Sequence, residues 1–141
     1  MVIRKLTEQF AVADQVTEAD LPGIVAQGFR RLICNRPDSE VEPPLSADTL
    51  GRAAQKAGLK FHYMPVDPMG INADSGKGLQ DILASSEEPI LAYCRSGTRA
   101  AALWALANAG TQPADELLEQ CANAGYRLDN LKPFLDQASA T

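Results

Sequence analysis

The chain contains very little histidine, since the only imidazole among its 141 residues is that of His62. Catalytic zinc sites and hydrolytic metal clusters are usually built from several imidazoles, so we expect metal-free chemistry without a cofactor. Cysteine is also scarce, and Cys34, Cys94 and Cys121 show no Cys-x-x-Cys spacing. Neither a disulfide scaffold nor a zinc ribbon is indicated, and we expect reduced thiols.

Long hydrophobic runs and an excess of positive charge are missing as well. No stretch of about 18 apolar residues could form a membrane span, and the amino-terminal sequence MVIRKLTEQF lacks the apolar core of a signal peptide. These patterns predict a cytoplasmic protein. With 13 Lys and Arg against 18 Asp and Glu, the net charge is −5, which disfavours binding to nucleic acid or an anionic membrane. A small metabolite or a thiol is the expected partner.

Short apolar segments alternate with helical patterns along the chain. The predicted strands cover residues 10–13, 30–34, 61–66 and 90–94. The predicted helices cover about 17–28, 48–57, 78–85, 98–109, 114–124 and 128–138, and a long loop is expected at 65–78. This alternation predicts an α/β fold with a mainly parallel central sheet flanked by helices, ending in two helices. The length fits a single domain over residues 1–141.

The segment around Cys94 carries the clearest chemical signal. A buried strand leads there into the short loop CRSGTR at 94–99 and then into a helix. Backbone N–H groups and the helix dipole at such a point form a cradle for an anion and lower the pKa of a thiol. Cys94 is therefore predicted to be a catalytic nucleophile, the alternative being a passive thiol at a strand end. The predicted anion-binding residues are Arg95, Ser96, Gly97, Thr98 and Arg99.

Three parts of the sequence together resemble one protein family. The segments AYCRSGTR at 92–99, NRPDSE at 35–40 and LWAL at 103–106 are similar to the β-lactamase hydrolase-like proteins, phosphatase-like domain. The resemblance covers nearly the whole chain and implies the fold of the dual-specificity, Cys-based protein phosphatases. Some members of the family are fused to a metallo-β-lactamase-type persulfide dioxygenase domain. The resemblance thus implies a persulfide dioxygenase as a partner.

The length of the loop favours sulfur chemistry over phosphate chemistry. Four residues separate Cys94 from Arg99, one fewer than in Cys-dependent phosphatases, and a loop of this length is similar to that of rhodanese sulfurtransferases. Tyr93 also replaces the histidine that usually precedes the phosphatase cysteine, and Ala100 replaces a hydroxyl residue. The first prediction is therefore a sulfurtransferase that moves a sulfane sulfur from thiosulfate or a persulfide to a thiol such as glutathione, or to cyanide, through a Cys94 persulfide.

Two other functions fit the same loop. A protein or small-molecule phosphatase would use Cys94 and Arg99 with Asp67 as the general acid, although Asp67 equally fits a residue that caps a turn. A non-catalytic redox or anion sensor would instead signal through the oxidation of Cys94. A small anionic substrate carrying sulfur or phosphate is expected for either enzyme.

Two further residues are predicted near the loop because they end or follow the strand at 30–34. Cys34 is either a redox partner of Cys94 or a buried free thiol. Arg36 either binds the substrate anion or orders its own loop by forming an ion pair with Asp38 or Glu40.

Overall fold

A computed structural model describes residues 1–140 and shows a five-stranded sheet with helices on both faces. The strands are β1 (Ile3–Lys5), β2 (Phe10–Ala13), β3 (Arg31–Cys34), β4 (Lys60–Tyr63) and β5 (Ile90–Tyr93). Their order across the sheet is β1-β2-β5-β3-β4, with β1 antiparallel to β2 and the other neighbours parallel. The predicted α/β fold with a mainly parallel sheet is confirmed.

Two strands differ from the sequence prediction by more than one residue. β1 was not predicted, because only one of its three residues is apolar and it shows no clear alternation. β4 ends at Tyr63 rather than at 66. The N–H groups of Met64 and Val66 still donate hydrogen bonds to the end of β3 and the residue after it, but Pro65 between them has no N–H to donate.

Six α-helices complete the described part of the chain. They are α1 (Leu21–Ala26), α2 (Ala47–Lys56), α3 (Lys77–Ser85), α4 (Thr98–Ala107), α5 (Ala114–Asn123) and α6 (Lys132–Ser139). The first predicted helix is split, because a 3₁₀ turn at Glu18–Asp20 precedes α1, which accommodates Pro22 in its first turn. Ser46 caps the start of α2, since its hydroxyl accepts a hydrogen bond from Thr49 N at 3.2 Å.

Alternate side chains of the strands divide the core into two layers. One layer, which includes Ile33 and Ala92, packs against α4 and α5, and the other, which includes Leu32 and Leu91, packs against α1 and α2. Helix α4 is buried from Arg99 to its end, as its nearly continuous apolar sequence predicts. Among the helices at 1–140, none has both the length and the apolar character needed to cross a membrane.

The parallel strands bring three loops to one edge of the sheet. These loops follow the carboxyl ends of β3, β4 and β5 and cover residues 35–46, 64–76 and 94–97. Arg99 in the first turn of α4 contacts both other loops, because its guanidinium bonds to Glu40 and to the carbonyl oxygen of Val66. The sheet edge therefore assembles a site from segments that are distant in sequence.

Candidate active site

The loop after β5 folds around the sulfur atom of Cys94. Gly97 lies in the left-handed region with φ of 94°, and its backbone N–H donates to Cys94 Sγ at 3.1 Å. A Cβ atom at this position would collide with the hydroxyl of Tyr126, which donates to the carbonyl oxygen of Ser96 at 3.4 Å. Both the backbone conformation and the packing of Tyr126 therefore require glycine.

The loop leaves several backbone donors available for a ligand. Helix α4 begins at Thr98, so its first N–H groups carry the positive end of the helix dipole. Four N–H groups of the loop donate to no acceptor within residues 1–140, those of Arg95, Ser96, Thr98 and Arg99. Cys94, at the start of the loop, is 1% exposed. The arrangement is an anion-binding loop that begins at a buried sulfur atom.

Three of the five N–H groups of Arg99 donate to Glu40 and Val66. Its Nη1 donates to Glu40 Oε2 and to the Val66 carbonyl oxygen, each at 2.8 Å, and its Nη2 donates to Glu40 Oε1 at 2.8 Å. The groups that remain are the Nε–H and the second Nη2–H, which are parallel along one edge of the guanidinium plane. Such an edge binds two oxygens of a phosphate or carboxylate at once. The guanidinium of Arg99 is therefore held in place, and these two parallel N–H groups, here called the fork, take no part in the contacts with Glu40 and Val66.

Glu40 joins two arginines at the sheet edge. It also accepts a hydrogen bond from Arg36 Nε at 3.3 Å, so Glu40 is the one of the two proposed carboxylates that pairs with Arg36. The hydrogen bonds from Arg99, helped by Arg36, hold the pKa of the Glu40 carboxyl below its ordinary value. Glu40 in turn raises the pKa of Arg99, with a smaller contribution from Cys94. Both groups of the pair therefore stay charged.

A cavity of about 1020 Å³ opens beside the loop. Its charged lining consists of Arg36, Glu40, Arg95, Arg99 and Arg127. Four arginines against one carboxylate make the cavity positive in a chain whose net charge is −5. Within residues 1–140, Arg95 and Arg127 form no ion pair, and no group of three His, Cys, Asp or Glu side chains could hold a metal ion.

Asp67 lies next to the site but takes part in a turn. Its Oδ1 accepts a hydrogen bond from Met69 N at 2.8 Å. The preceding residue, Val66, bonds to Arg99, and the two residues that follow Asp67 line the cavity, whereas Asp67 does not. The turn foreseen for Asp67 is present, and its role as a general acid stays a prediction.

Cys34 and Cys94 pack in different layers of the core. Cys34 belongs to the layer against α1 and α2, and Cys94 to the layer against α4. The Cys34 thiol donates to the carbonyl oxygen of Arg36 at 3.3 Å, and burial raises the pKa of this thiol. A redox link between the two cysteines stays a prediction.

Several residues of the site were not identified from the sequence. Glu40 was foreseen only as a partner of Arg36, although the neighbouring parallel strands β3 and β5 could have indicated that it meets Arg99. Tyr126 and Arg127 lie in the connection between α5 and α6. No local sequence pattern predicts where such a connection packs, so these two residues gave no signal.

The Glu40→Gln exchange tests the contribution of this carboxylate to stability. Because folding lowers the pKa of Glu40, its stabilising effect is present above the ordinary value of 4.5 and is lost as the pH falls through the lower, folded value. We expect the free energy of unfolding at pH 7 to fall by about 1–3 kcal/mol in the variant, and the loss to shrink below about pH 4. Urea unfolding at both pH values measures it.

The exposed Glu119, whose side chain has no partner within residues 1–140, provides the matched control. Glu119→Gln is expected to leave stability nearly unchanged at pH 7. An equal loss in the two variants, or a Glu40→Gln loss that does not depend on pH, would contradict the assignment.

Comparison with solved structures identifies the fold that surrounds this loop. The chain matches the crystal structure of a proposed phosphatase from Neisseria meningitidis Z2491 with a TM-score of 0.84 and 35% identity, covering 98% of this chain and 99% of that chain. It matches Tk-PTP in its active form with a TM-score of 0.79 and 15% identity, covering 98% and 96%. The second likeness shows the fold alone. The protein has the fold of the Cys-based phosphatases.

The family model for the β-lactamase hydrolase-like protein, phosphatase-like domain, matches residues 2–111. The chain belongs to this family, as its resemblance predicted. A β-lactamase hydrolase-like protein of Agrobacterium fabrum is 36% identical over 106 residues, 74% of this chain and 24% of the relative. A relative from Xylella fastidiosa strain 9a5c is 31% identical over 139 residues, 97% of this chain and 32% of the relative. The chain thus spans about a quarter to a third of these relatives.

These findings show that the predicted sulfurtransferase is wrong. The family and the similar structures are phosphatase-like. The prediction gave a one-residue difference in loop length more weight than the two helices that follow α4, which continue the phosphatase fold. The short loop still keeps free N–H groups and the fork of Arg99. Sulfane-sulfur substrates, glutathione and a persulfide dioxygenase lose their basis as partners with this correction.

Proposed function

We propose that the domain hydrolyses phosphate monoesters through a covalent phosphocysteine on Cys94. The observation that carries the proposal is the fork of Arg99, two parallel N–H groups held by Glu40 and Val66 beside the loop that encloses the Cys94 sulfur. A phosphate oxygen pair bound by this fork leaves the third oxygen for the loop N–H groups. A small anionic phosphate ester is then the substrate.

The reaction takes two steps. The Cys94 thiolate attacks phosphorus, so an S–P bond forms while the P–O bond to the leaving group breaks, and the leaving oxygen takes a proton from Asp67. Water then attacks phosphorus, the S–P bond breaks, and phosphate leaves as H₂PO₄⁻, which carries both protons of the water. The thiolate is thereby restored, and Asp67 regains its proton from solvent. The charge that develops on the phosphoryl oxygens is stabilised by Arg99 and the loop N–H groups in both steps.

Gly97 supports the thiolate in its role as nucleophile and leaving group. Its N–H already donates to Cys94 Sγ at 3.1 Å, and a hydrogen bond to a sulfur anion is stronger than one to a neutral thiol. This donor supplies stabilisation at the point where Ala100 lacks the hydroxyl found after the arginine of related phosphatases. A backbone N–H of the loop thereby takes the place of the missing hydroxyl in stabilising the thiolate.

Phosphate release from phenyl phosphate in the presence of a metal chelator tests the proposed function. We expect the purified protein to release phosphate with saturation kinetics, and to form no thiocyanate above background from thiosulfate and cyanide. The chelator removes the contribution of contaminating metal-dependent phosphatases. A folded protein that hydrolyses no phosphate monoester, aryl or alkyl, would overturn the proposal.

Replacing Asp67 with asparagine tests its role as the general acid. A poor leaving group needs the proton most, so we expect kcat for an alkyl phosphate to fall about 100-fold and kcat for p-nitrophenyl phosphate to change little. Asp74→Asn, in the same loop and paired with Lys77 at 3.1 Å, is the matched control and should retain both activities. If Asp67→Asn hydrolyses the alkyl ester as fast as the wild type, Asp67 is not the general acid and only stabilises the turn.

A further inference from the structure

The cavity beside the loop has two unlike parts. Its charged residues include Arg99, whose fork carries the proposed chemistry. The remaining lining is largely apolar and contains Met69, Ile71, Ala102, Leu128, Leu131 and Phe134, here called the apolar wall. None of these side chains has a part in phosphoryl transfer, so the mechanism leaves the wall unexplained.

Helix α4 connects the two parts directly. Thr98 and Ala102 are separated by one helical turn and lie on the same face, and both line the cavity. One turn rises about 5 Å along the axis, so the apolar wall begins roughly that far beyond the loop. A phosphate group bound at the loop does not extend this distance, so the wall faces the alcohol part of a bound ester.

The wall belongs to the packed core rather than to scattered surface residues. Leu128 and Leu131 are only 6% and 5% exposed, and Ile71 and Phe134 are half-buried against the same core cluster. Met69, in the loop 64–76, is 92% exposed, which leaves a large apolar side chain in water. A small polar alcohol would leave the apolar surface of the wall exposed to water, whereas a hydrocarbon chain would remove it from water, which is favourable.

We propose that the substrates are phosphate monoesters of amphiphilic alcohols, with the phosphate on the loop and an apolar chain of several methylene groups along the wall. This inference rests on the proposed phosphatase function and names its substrate class. The volume of about 1020 Å³ lies at the upper end of the range for pockets that enclose molecules of drug size. Glu40, the carboxylate of the lining, is paired with Arg36 and Arg99 and therefore does not repel the anionic head group.

A series of straight-chain alkyl phosphates, from ethyl to octyl, tests the inference at concentrations below micelle formation. We expect kcat/KM for phosphate release to rise about twofold to fourfold with each CH₂ group that reaches the wall, mainly through KM. A value that stays flat or falls with chain length would overturn the inference. Faster turnover of a phosphotyrosine peptide than of octyl phosphate would overturn it as well, in favour of a protein substrate.

Two isoleucines offer a matched pair of variants. Ile71 and Ile82 are both half-buried against the same core cluster, but Ile71 lines the cavity and Ile82 does not. We expect Ile71→Ala to reduce the ratio of octyl to ethyl phosphate turnover about fivefold or more and Ile82→Ala to leave this ratio unchanged. Equal ratios in both variants would show that the wall does not contact the chain.

Binding measurements separate failure of this inference from failure of the proposed function. Ethylphosphonate and octylphosphonate, which cannot be hydrolysed, are titrated calorimetrically into the Cys94→Ser variant. Tighter binding of octylphosphonate supports the inference that the apolar wall binds the hydrocarbon chain, even if no ester is turned over. Equal binding of the two phosphonates overturns this inference. Hydrolysis of esters at rates that do not depend on chain length also overturns it, but leaves the phosphatase function intact.

Discussion

The Cys94→Ser variant is expected to release no phosphate above background from phenyl phosphate, a loss of at least about 10⁴-fold in kcat. A serine hydroxyl is not ionised near neutral pH and needs a base to become a nucleophile. The single imidazole of the chain does not serve as this base, because His62 lies on β4, where its Nε2 is 3.3 Å from Arg31 Nη1. Nothing in the loop therefore activates serine.

Steady-state phosphate release measures this effect, with circular dichroism as a check on folding. Cys121→Ala is the matched control, because Cys121 is fully buried on α5 and burial raises its pKa to about 12. That thiol is protonated near neutral pH and its removal should leave the chemistry intact. Activity of Cys94→Ser within tenfold of the wild type would assign the nucleophile elsewhere.

The Arg99→Lys variant is expected to lose about 10³-fold in kcat/KM, with KM raised and kcat lowered together. Lysine keeps the positive charge but loses the planar fork, so two parallel hydrogen bonds to phosphate are replaced by one contact. It also cannot bond to both oxygens of Glu40 and to Val66 in the way that Arg99 does. The loss therefore combines weaker phosphate binding with poorer positioning.

Arg52→Lys is the control for this exchange, because Arg52 forms an exposed ion pair with Asp48 on α2, away from the cavity. It should match the wild type in both kinetic constants. An Arg99→Lys variant within about fivefold of the wild type would show that charge alone is sufficient and that the fork does not bind phosphate.

Much of the fold is predictable from the sequence because its signals are local. The segment Ile90–Tyr93 is a continuous apolar run that becomes a buried parallel strand, and Ser46 caps α2 through a bond within its own turn. β1 carries no such signal, since it has three residues and gains its place by pairing with β2. Strands of this kind are defined by their neighbours rather than by their own pattern.

The site divides in the same way. Cys94 and Gly97 lie in one loop whose sequence predicts an anion site, whereas the pairing of Glu40 with Arg99 joins residues 59 positions apart and depends on the order of β3 and β5 in the sheet. The choice between sulfur and phosphate failed because loop length was given more weight than the two helices predicted after α4. The fork of Arg99 and its contacts with Glu40 and Val66 appear only in three dimensions.

The chemical state of Cys94 during turnover tests the central claim most directly. A single-turnover reaction with a labelled phosphate monoester is quenched by denaturation at successive times, and the Cys94 peptide is analysed by mass spectrometry. We expect the label to appear on the Cys94 sulfur before it appears as inorganic phosphate. Label that passes to inorganic phosphate without ever being found on Cys94 would contradict it.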